Sequence, residues 1–443
     1  MFKEYRISDI GEVIGGGTPS TKNDEYWNGN IPWISPKDLT GYNSVYISYG
    51  ENFITDKGLK SGTRLLPKDT VLFSSRAPIG YIALAANDIC TNQGFKSIVC
   101  DHSKVNPLYL YYYLKSNINY IKLFGSGATF PEISGSSMKK IKINIFESID
   151  YQKKVANSIY KYDELIEVNN KRIKLLEQAA EELYKEWFVR FRFPNYQSAE
   201  FENEKPNGWH FGDESNMKRP KGWEYTKFKK LGLFKRGKNI TASEMVEGNI
   251  PVISAGIEPS GYHNKPNVYG DSLTISASGA NAGFLKYNLK NIWAADCLYY
   301  QDDELLWYVY NTLKFLQPVI SNMQCGAAQP HVYPKNISKL CIIIPPKSLI
   351  KKFCNIVTPF YNEIKQLNQK NEILIKQRDL LLPRLMSGKL SVETKTGSVP
   401  KVKKIISFDK FCSNMGMAAR AKSISDEDLR AMYEAYIDDD ATE

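Results

Sequence analysis

The sequence predicts an α+β protein with two homologous mixed α/β domains. Two long helices, paired as an antiparallel coiled coil, separate the domains and complete a pseudo-twofold internal repeat. Three observations predict this architecture. The chain of 443 residues is too long for one ordinary core, its second half repeats motifs of its first half, and each half ends in a long heptad pattern.

The repeat consists of four segments that recur in the same order. These pairs are NIPWIS at Asn30 and NIPVIS at Asn249, SSRAPIGYI at Ser74 and ASGANAGFL at Ala277, GATFPEI at Gly127 and GAAQPHV at Gly326, and KKIKINIF at Lys139 and SKLCIIIP at Ser338. The separation between matched segments shrinks along the chain, so the first half carries extra residues, mostly between Ser35 and Ser74. The two halves are therefore expected to share one fold.

Each heptad pattern alternates steps of four and three residues, which is typical of a coiled-coil seam. The first seam comprises Val155, Ile159, Tyr162, Ile166, Asn169, Ile173, Leu176, Ala180, Leu183 and Trp187. The second comprises Phe353, Val357, Phe360, Ile364, Leu367, Asn371, Leu374, Arg378, Leu381 and Leu385. Helices of this length would be about 50 Å long at 1.5 Å per residue.

An antiparallel pairing brings the two central asparagines together. If Val155 lies opposite Leu385, then Asn169 faces Asn371, and a buried Asn pair fixes helix register. The same register pairs Ala180 with Phe360 and Tyr162 with Arg378, for which we expect a cation–π contact. The alternative is two unrelated amphipathic helices, each packed on its own domain.

Composition shifts and Pro-Gly clusters predict the domain boundaries. Domain 1 is expected at 1–150, with strands at IPWIS, SVYIS, TVLFSS and IKINIF and a helix over 107–120. The first long helix should span 151–194 and end at Pro194, followed by a linker over 195–222. Domain 2 is expected at 223–347, the second helix at 348–392, and a tail at 393–443. This tail is either a docking element or a solvated extension.

Composition narrows the function classes. The net charge of +10 favours a polyanionic partner. No signal peptide or membrane span is expected, and seven scattered cysteines indicate a reduced cytoplasm. The sequence has no metal-ligand spacing and no P-loop, GxGxxG, HExxH or GxSxG motif, so we expect neither a metal nor catalytic residues.

Polar and basic loops recur at matching places in both halves and form the candidate DNA-binding surface. Small residues allow backbone amides to approach phosphates, while Arg, Lys, Asn and Gln can read base edges. For each loop taken by itself, an ordinary turn is the better explanation. The candidates are Thr18, Lys22, Ser35, Lys37, Ser75, Arg76, Gln93, Lys96 and Thr129 in the first half, and Arg236, Lys238, Asn239, Ser254, Ser278, Asn281, Gln324, Gln329 and His331 in the second. A duplicated protein scaffold that does not touch DNA is the alternative function.

Three motifs carry a family resemblance. They are RDLLLPRLMSGKL from Arg378, EELYKEWFVRFRFPN from Glu181, and GGGTPSTKNDEYWNGNIPWISPKDL from Gly15. Through them the chain, over about Met1 to Val392, resembles the specificity subunit of Type I restriction–modification enzymes. The tail departs from that family's usual ending.

The resemblance implies two target-recognition domains, each binding one half of a split, asymmetric DNA site, with the conserved helices setting the spacer. It implies a chain with no catalytic centre and no cofactor of its own. Two modification subunits would methylate adenine N6 with S-adenosylmethionine. Two motor subunits would translocate and cleave DNA with ATP and Mg²⁺.

Overall fold

The computed structural model describes residues 1–127, 131–202, 219–324 and 330–392. The predicted tail, 393–443, lies outside the described residues. These residues fall into two compact units, Met1–Lys171 with 369–392, and Arg172–Asn368. The predicted boundaries set the helices apart from the domains, whereas the structure divides each long helix between the two units.

The first unit is built from short strands and helices around three sheets. Its elements are β1 (Phe2–Arg6), α1 (Ile7–Ile10), β2 (Gly11–Gly15), β3 (Trp27–Ile34), β4 (Tyr46–Ile47), β5 (Asn52–Ile54), α2 (Asp56–Lys60), β6 (Val71–Phe73), β7 (Ile82–Ala85), β8 (Cys90–Thr91), β9 (Lys96–Cys100), α3 (Pro107–Ser116), α4 (Ile118–Lys122), α5 (Gly135–Lys140) and β10 (Lys142–Phe146). The sheet orders are β2-β9-β6-β7-β4, β5-β3-β8 and β1-β10. The four predicted strand segments overlap β3, β4, β6 and β10.

Helix α3 shows how local sequence sets an element boundary. Pro107 occupies the first turn, where its missing N–H is harmless, and the Asn106 side chain caps the helix by accepting from the Tyr109 amide at 3.0 Å. The helix ends at Ser116, so the single helix predicted over 107–120 is in fact α3 followed by α4. Tyrosines and leucines of α3 are buried in the core of the first unit.

The second unit repeats this plan, with a main sheet of four strands in place of five. Its elements are β11 (Phe201–Glu202), β12 (Arg219–Pro220), β13 (Glu224–Lys227), β14 (Lys235–Arg236), β15 (Ile250–Ile253), β16 (Gly261–His263), β17 (Ser272–Ser276), β18 (Leu285–Asn288), β19 (Trp293–Ala294), β20 (Cys297–Tyr300), α7 (Leu306–Phe315), α8 (Gln317–Ser321), α9 (Pro334–Ile337) and β21 (Cys341–Ile344). The sheet orders are β14-β20-β17-β18, β16-β15-β19, β13-β21 and β11-β12. The last pair lies in the segment predicted as a linker.

Sheet topology supports the internal repeat directly. Strand β3 pairs antiparallel with β5 and parallel with β8, and β15 likewise pairs antiparallel with β16 and parallel with β19. The terminal pairs β1-β10 and β13-β21 are both antiparallel. The two units therefore share their strand connectivity, as the matched motifs predict.

The two long helices are α6 (Ile149–Tyr184, 36 residues) and α10 (Lys347–Met386, 40 residues). The predicted end of the first helix at 194 is wrong, because the α-helix gives way to a π turn over Lys185–Val189. In that turn Trp187 and Phe188 are both buried in the core of the second unit. No helix in the described part of the chain is both long and apolar enough to span a membrane.

In the first unit, Asn169 and Asn371 lie opposite each other, as the heptad register predicts. The Asn169 Nδ2 donates to Asn371 Oδ1 at 2.8 Å, and the Asn371 Nδ2 donates to Asn170 Oδ1 at 2.9 Å. Asn169 and Asn371 are buried. Both of their facing amides are thus hydrogen-bonded inside an apolar seam, where an unpaired amide would be costly.

The two ends of the seam agree with the same register. Val155 and Leu385 belong to the core of the first unit. In the second unit, the Trp187 and Phe353 rings lie 6.1 Å apart edge to face. Ala180 and Phe360 are buried in that unit's core.

Arg378 has a different partner from the predicted Tyr162. Its guanidinium pairs with the buried carboxylate of Asp163, and the Tyr112 hydroxyl donates to the other Asp163 oxygen at 2.6 Å. Burial opposes the charge on Arg378, but Asp163 raises its pKa. Because Asp163 follows Tyr162 directly in the helix, it competes for the same cation with a stronger, charge-assisted hydrogen bond.

We expect Asn169→Leu to destabilise the protein by about 1–3 kcal/mol, because Asn371 Oδ1 then lacks its donor. Adding Asn371→Leu removes the unpaired amide, so the double variant should lose less than the sum of the single variants. Urea unfolding followed by circular dichroism measures all three. Strictly additive losses would show that the two amides do not interact.

Removal of the Arg378 charge should destabilise the protein more than removal of an exposed charge on one of the two long helices. Arg378→Met leaves the buried Asp163 carboxylate without its cation and should cost about 3–5 kcal/mol. Lys171→Met is the matched control, because Lys171 pairs with Glu167 in solvent and should contribute about 0.5 kcal/mol or less. Equal changes in unfolding free energy would contradict the assignment of a buried ion pair.

Candidate nucleic-acid interface

In the first unit, loops converge at one end of the five-stranded sheet. Antiparallel pairing sets Gly15, at the end of β2, beside Lys96, at the start of β9. Ser74, just beyond β6, bridges to Phe95 in the same region. The loops that follow β2 and β6 and precede β9 therefore meet at a single edge of the sheet.

The loop after β6 is shaped by hydrogen bonds to Ser74. Its hydroxyl accepts from the Gly80 and Tyr81 amides at 3.1 and 2.8 Å and donates to the Pro78 carbonyl at 2.7 Å. Within this loop Ala77 adopts a φ of 50°, a left-handed conformation that is uncommon outside glycine. The loop thereby holds its polar side chains in one arrangement.

A hydrogen-bond network joins five of the predicted residues of the first unit. The Lys96 ammonium contacts Ser75 Oγ and the Gln93 carbonyl, each at 3.3 Å. The Gln93 side chain accepts from the Thr18 hydroxyl. Glu132 connects Arg76 to this network, because one Glu132 carboxylate oxygen lies 3.3 Å from Lys96 and the other lies 3.3 Å from Arg76.

The remaining predicted residues of the first unit have other surroundings. Ser35 donates to Asp38 at 2.7 Å and Lys37 pairs with Glu51 at 2.8 Å, so both have partners outside the network. Lys22 is exposed. Thr129 lies outside the described residues.

The second unit assembles a comparable group at the matching end of its four-stranded sheet. Arg236, at the end of β14, lies 3.8 Å from the Asp296 carboxylate. The Ser278 hydroxyl donates to the same carboxylate, and the Ser278 backbone bridges to His331. The His331 ring stacks on Tyr333 with centroids 6.0 Å apart.

Other candidates of the second unit do not join this group through described contacts. The Gln324 amide donates to the Ala282 carbonyl at 2.8 Å, and the Asn281 carbonyl accepts from the Phe284 amide at 2.9 Å. The remaining three are half-buried Ser254 and exposed Lys238 and Asn239. Gln329 lies outside the described residues.

The sequence prediction missed two acidic residues, Glu132 and Asp296. Each lies among the basic or hydroxyl side chains that were predicted, and each accepts hydrogen bonds or ion pairs from them. Residues that contact phosphate are cations and hydrogen-bond donors, so a prediction based on phosphate contacts omits carboxylates. The position of Glu132 could have been found from the repeat, because Glu132 in GATFPEI occupies the place of His331 in GAAQPHV.

Two duplicated units, each with basic and hydrogen-bonding side chains at one end of its main sheet, are features of a two-domain nucleic-acid-binding protein. A family model described as the type I restriction modification DNA specificity domain matches residues 1–178 and 220–375. The chain belongs to the specificity subunits of type I restriction–modification enzymes. Members of this family are the non-catalytic subunits of their enzymes, and the matched segments are DNA-recognition domains.

Individual relatives agree with this assignment. The type I restriction enzyme MjaIX specificity subunit of Methanocaldococcus jannaschii is 36% identical over 414 residues, which cover 88% of this chain and 93% of that protein. The EcoR124I/EcoR124II specificity subunit of Escherichia coli is 29% identical over 180 residues, covering 37% and 43%. A solved S subunit from M. genitalium has 19% identity and a TM-score of 0.55, covers 87% of this chain and 96% of its own, and supports the fold.

Proposed function

We propose that each recognition domain reads one half of a bipartite, asymmetric DNA site, and that α6 and α10 set the spacer between the half-sites. The observation that carries this proposal is the matched position of the two polar groups in the two units. Both lie where the first strand of the main sheet ends, yet their side chains differ. Two domains with the same backbone framework but different side chains are suited to reading two different half-site sequences.

The partner subunits supply the chemistry in this proposal. Two modification subunits methylate adenine N6 with S-adenosylmethionine, and two motor subunits use ATP and Mg²⁺ to translocate and cleave DNA. The chain itself binds none of these cofactors and acts in the cytoplasm, where the DNA is. Ile373 and Leu380 are 55% and 65% exposed and lie seven residues apart on α10, so they offer one apolar face to the modification subunits.

Single substitutions should affect one half-site at a time. With the methylated site of the complex mapped by sequencing, Arg76→Ala should weaken discrimination in one half-site and Arg236→Ala in the other, each by about 1–3 kcal/mol. Competition with duplexes scrambled in one half measures this. Arg64→Ala is the control, because Arg64 pairs with Glu12 in an exposed site of the first unit.

The salt dependence of DNA binding separates DNA recognition from a protein scaffold that does not touch DNA. Binding to random duplex should weaken steeply with salt, since each phosphate contact contributes about −0.9 to the logarithmic slope. A complex with no salt slope and no sequence preference would overturn the proposed function. Loss of both half-sites in a single Arg variant would contradict the division between domains.

The spacer proposal predicts the effect of helix length. Seven residues inserted at facing points of α6 and α10 preserve the heptad pattern and add about 10.5 Å to each helix, or roughly three base pairs of DNA. Methylation-sensitive sequencing should recover the same two half-sites with a longer spacer. The same insertion in the tail, 393–443, should leave the spacer unchanged, and an unchanged spacer in the helix variant would refute the proposal.

A further inference from the structure

The carboxylate of Glu132 lies between two cations at the centre of the first unit's polar group. We propose that Arg76 and Glu132 together read one G·C base pair through the major groove, in the half-site bound by the first recognition domain. This inference rests on the proposed DNA-reading function and adds to it the base pair and the residues that read it.

Burial separates the roles of the three charged side chains. The Lys96 side chain is only 14% exposed, while those of Arg76 and Glu132 are 40% and 36% exposed. Lys96 directs its ammonium to Ser75 Oγ, the Gln93 carbonyl and Glu132 Oε1, each at 3.3 Å. Since an ammonium has three N–H groups, all of its donors are used inside the protein. Lys96 is therefore a positioning residue that holds the Glu132 carboxylate in place.

Arg76 and Glu132 remain available to a ligand as a donor and an acceptor side by side. Glu132 Oε2 lies 3.3 Å from a terminal guanidinium nitrogen of Arg76. A phosphate approaching Arg76 would also meet this carboxylate, which offsets part of the attraction of the cation for the phosphate. A base edge carries both donors and acceptors without charge, so it suits the pair better than the DNA backbone does.

The major-groove edge of a G·C pair matches this arrangement. Guanine presents two acceptors, O6 and N7, to which the guanidinium fork of Arg76 can donate two hydrogen bonds. Cytosine presents the N4 amino group beside them, and the Glu132 carboxylate can accept from it. An A·T pair has a single purine acceptor next to the adenine amino group, so it would leave half of the Arg76 fork unused.

The second unit lacks this pair, which confines the inference to one half-site. The Ser75 carbonyl accepts from the Ile133 amide at 3.0 Å, and the Ala277 carbonyl accepts from the Val332 amide at 3.0 Å, so Ser75 corresponds to Ala277 in the structure. The sequence motifs align Ser74 with Ala277 instead, because the loop from Ser74 to Gly80 is one residue shorter than the loop from Ser276 to Gly283. The residues next to these hydrogen-bonded positions are Arg76 and Glu132 in the first unit. In the second unit the same places hold Ser278 and His331.

The test uses the full-length chain in complex with its modification subunits, acting on a plasmid library randomised in the recognition site. The variants Glu132→Gln and Arg76→Ala should relax the same single position of one half-site, and that position should be G·C in the wild type. Preference there should fall roughly 5- to 150-fold, while the other half-site is unchanged. Glu132→Gln keeps the side-chain shape but replaces an acceptor oxygen by an amino group that opposes cytosine N4.

Control variants come from an Arg–Glu pair of the same unit. Arg64 and Glu12 lie 3.6 Å apart with both side chains mostly exposed, so Arg64→Ala and Glu12→Gln should leave the motif unchanged. The inference is overturned if the two test variants relax different positions, relax an A·T position, weaken all sequences equally, or change nothing. A wild-type complex without any sequence preference would instead overturn the proposed function itself.

Discussion

The hydrogen bond between Asn169 and Asn371 is the constraint on which the rest of the structure depends. It aligns two helices of 36 and 40 residues whose apolar seams would otherwise tolerate a slip by one heptad. A slip in one direction would set Asn169 against Ile364, and a slip in the other would set Asn371 against Leu176, so one amide would face an aliphatic side chain without a hydrogen-bonding partner. In the observed register, the start of α6 and the end of α10 complete the core of the first unit.

In this arrangement, the core of each recognition domain contains residues that are far apart in the sequence. The core of the first unit includes Val155 together with Leu385, and the core of the second includes Trp187 together with Phe353. Neither core is complete until both long helices are present. In the first unit, the recognition loops therefore rest on a core that includes Leu385 of α10, which follows Glu132 by more than 250 residues in the sequence.

Periodicity and repetition are properties of sequence alone, which explains why the helices, their register and the duplicated plan could be predicted. Other features depend on side-chain competition in three dimensions. The π turn that ends α6 and the preference of Arg378 for Asp163 over Tyr162 are of this kind. The loops were found through the repeat. Their internal pairing was not, because charge composition points to cations and gives no sign that Glu132 pairs with two of them.

The repeat also conceals an asymmetry. Arg378 precedes Leu385 by seven residues, and the corresponding residue before Trp187 is Ala180. Were α6 to meet a second α6 in place of α10, the Asp163 carboxylate would face alanine in an apolar seam without a counter-ion, at high cost. The buried ion pair thus favours pairing of α6 with α10 over pairing of α6 with a second α6. Although the two halves share one plan, their long helices are not interchangeable where they meet.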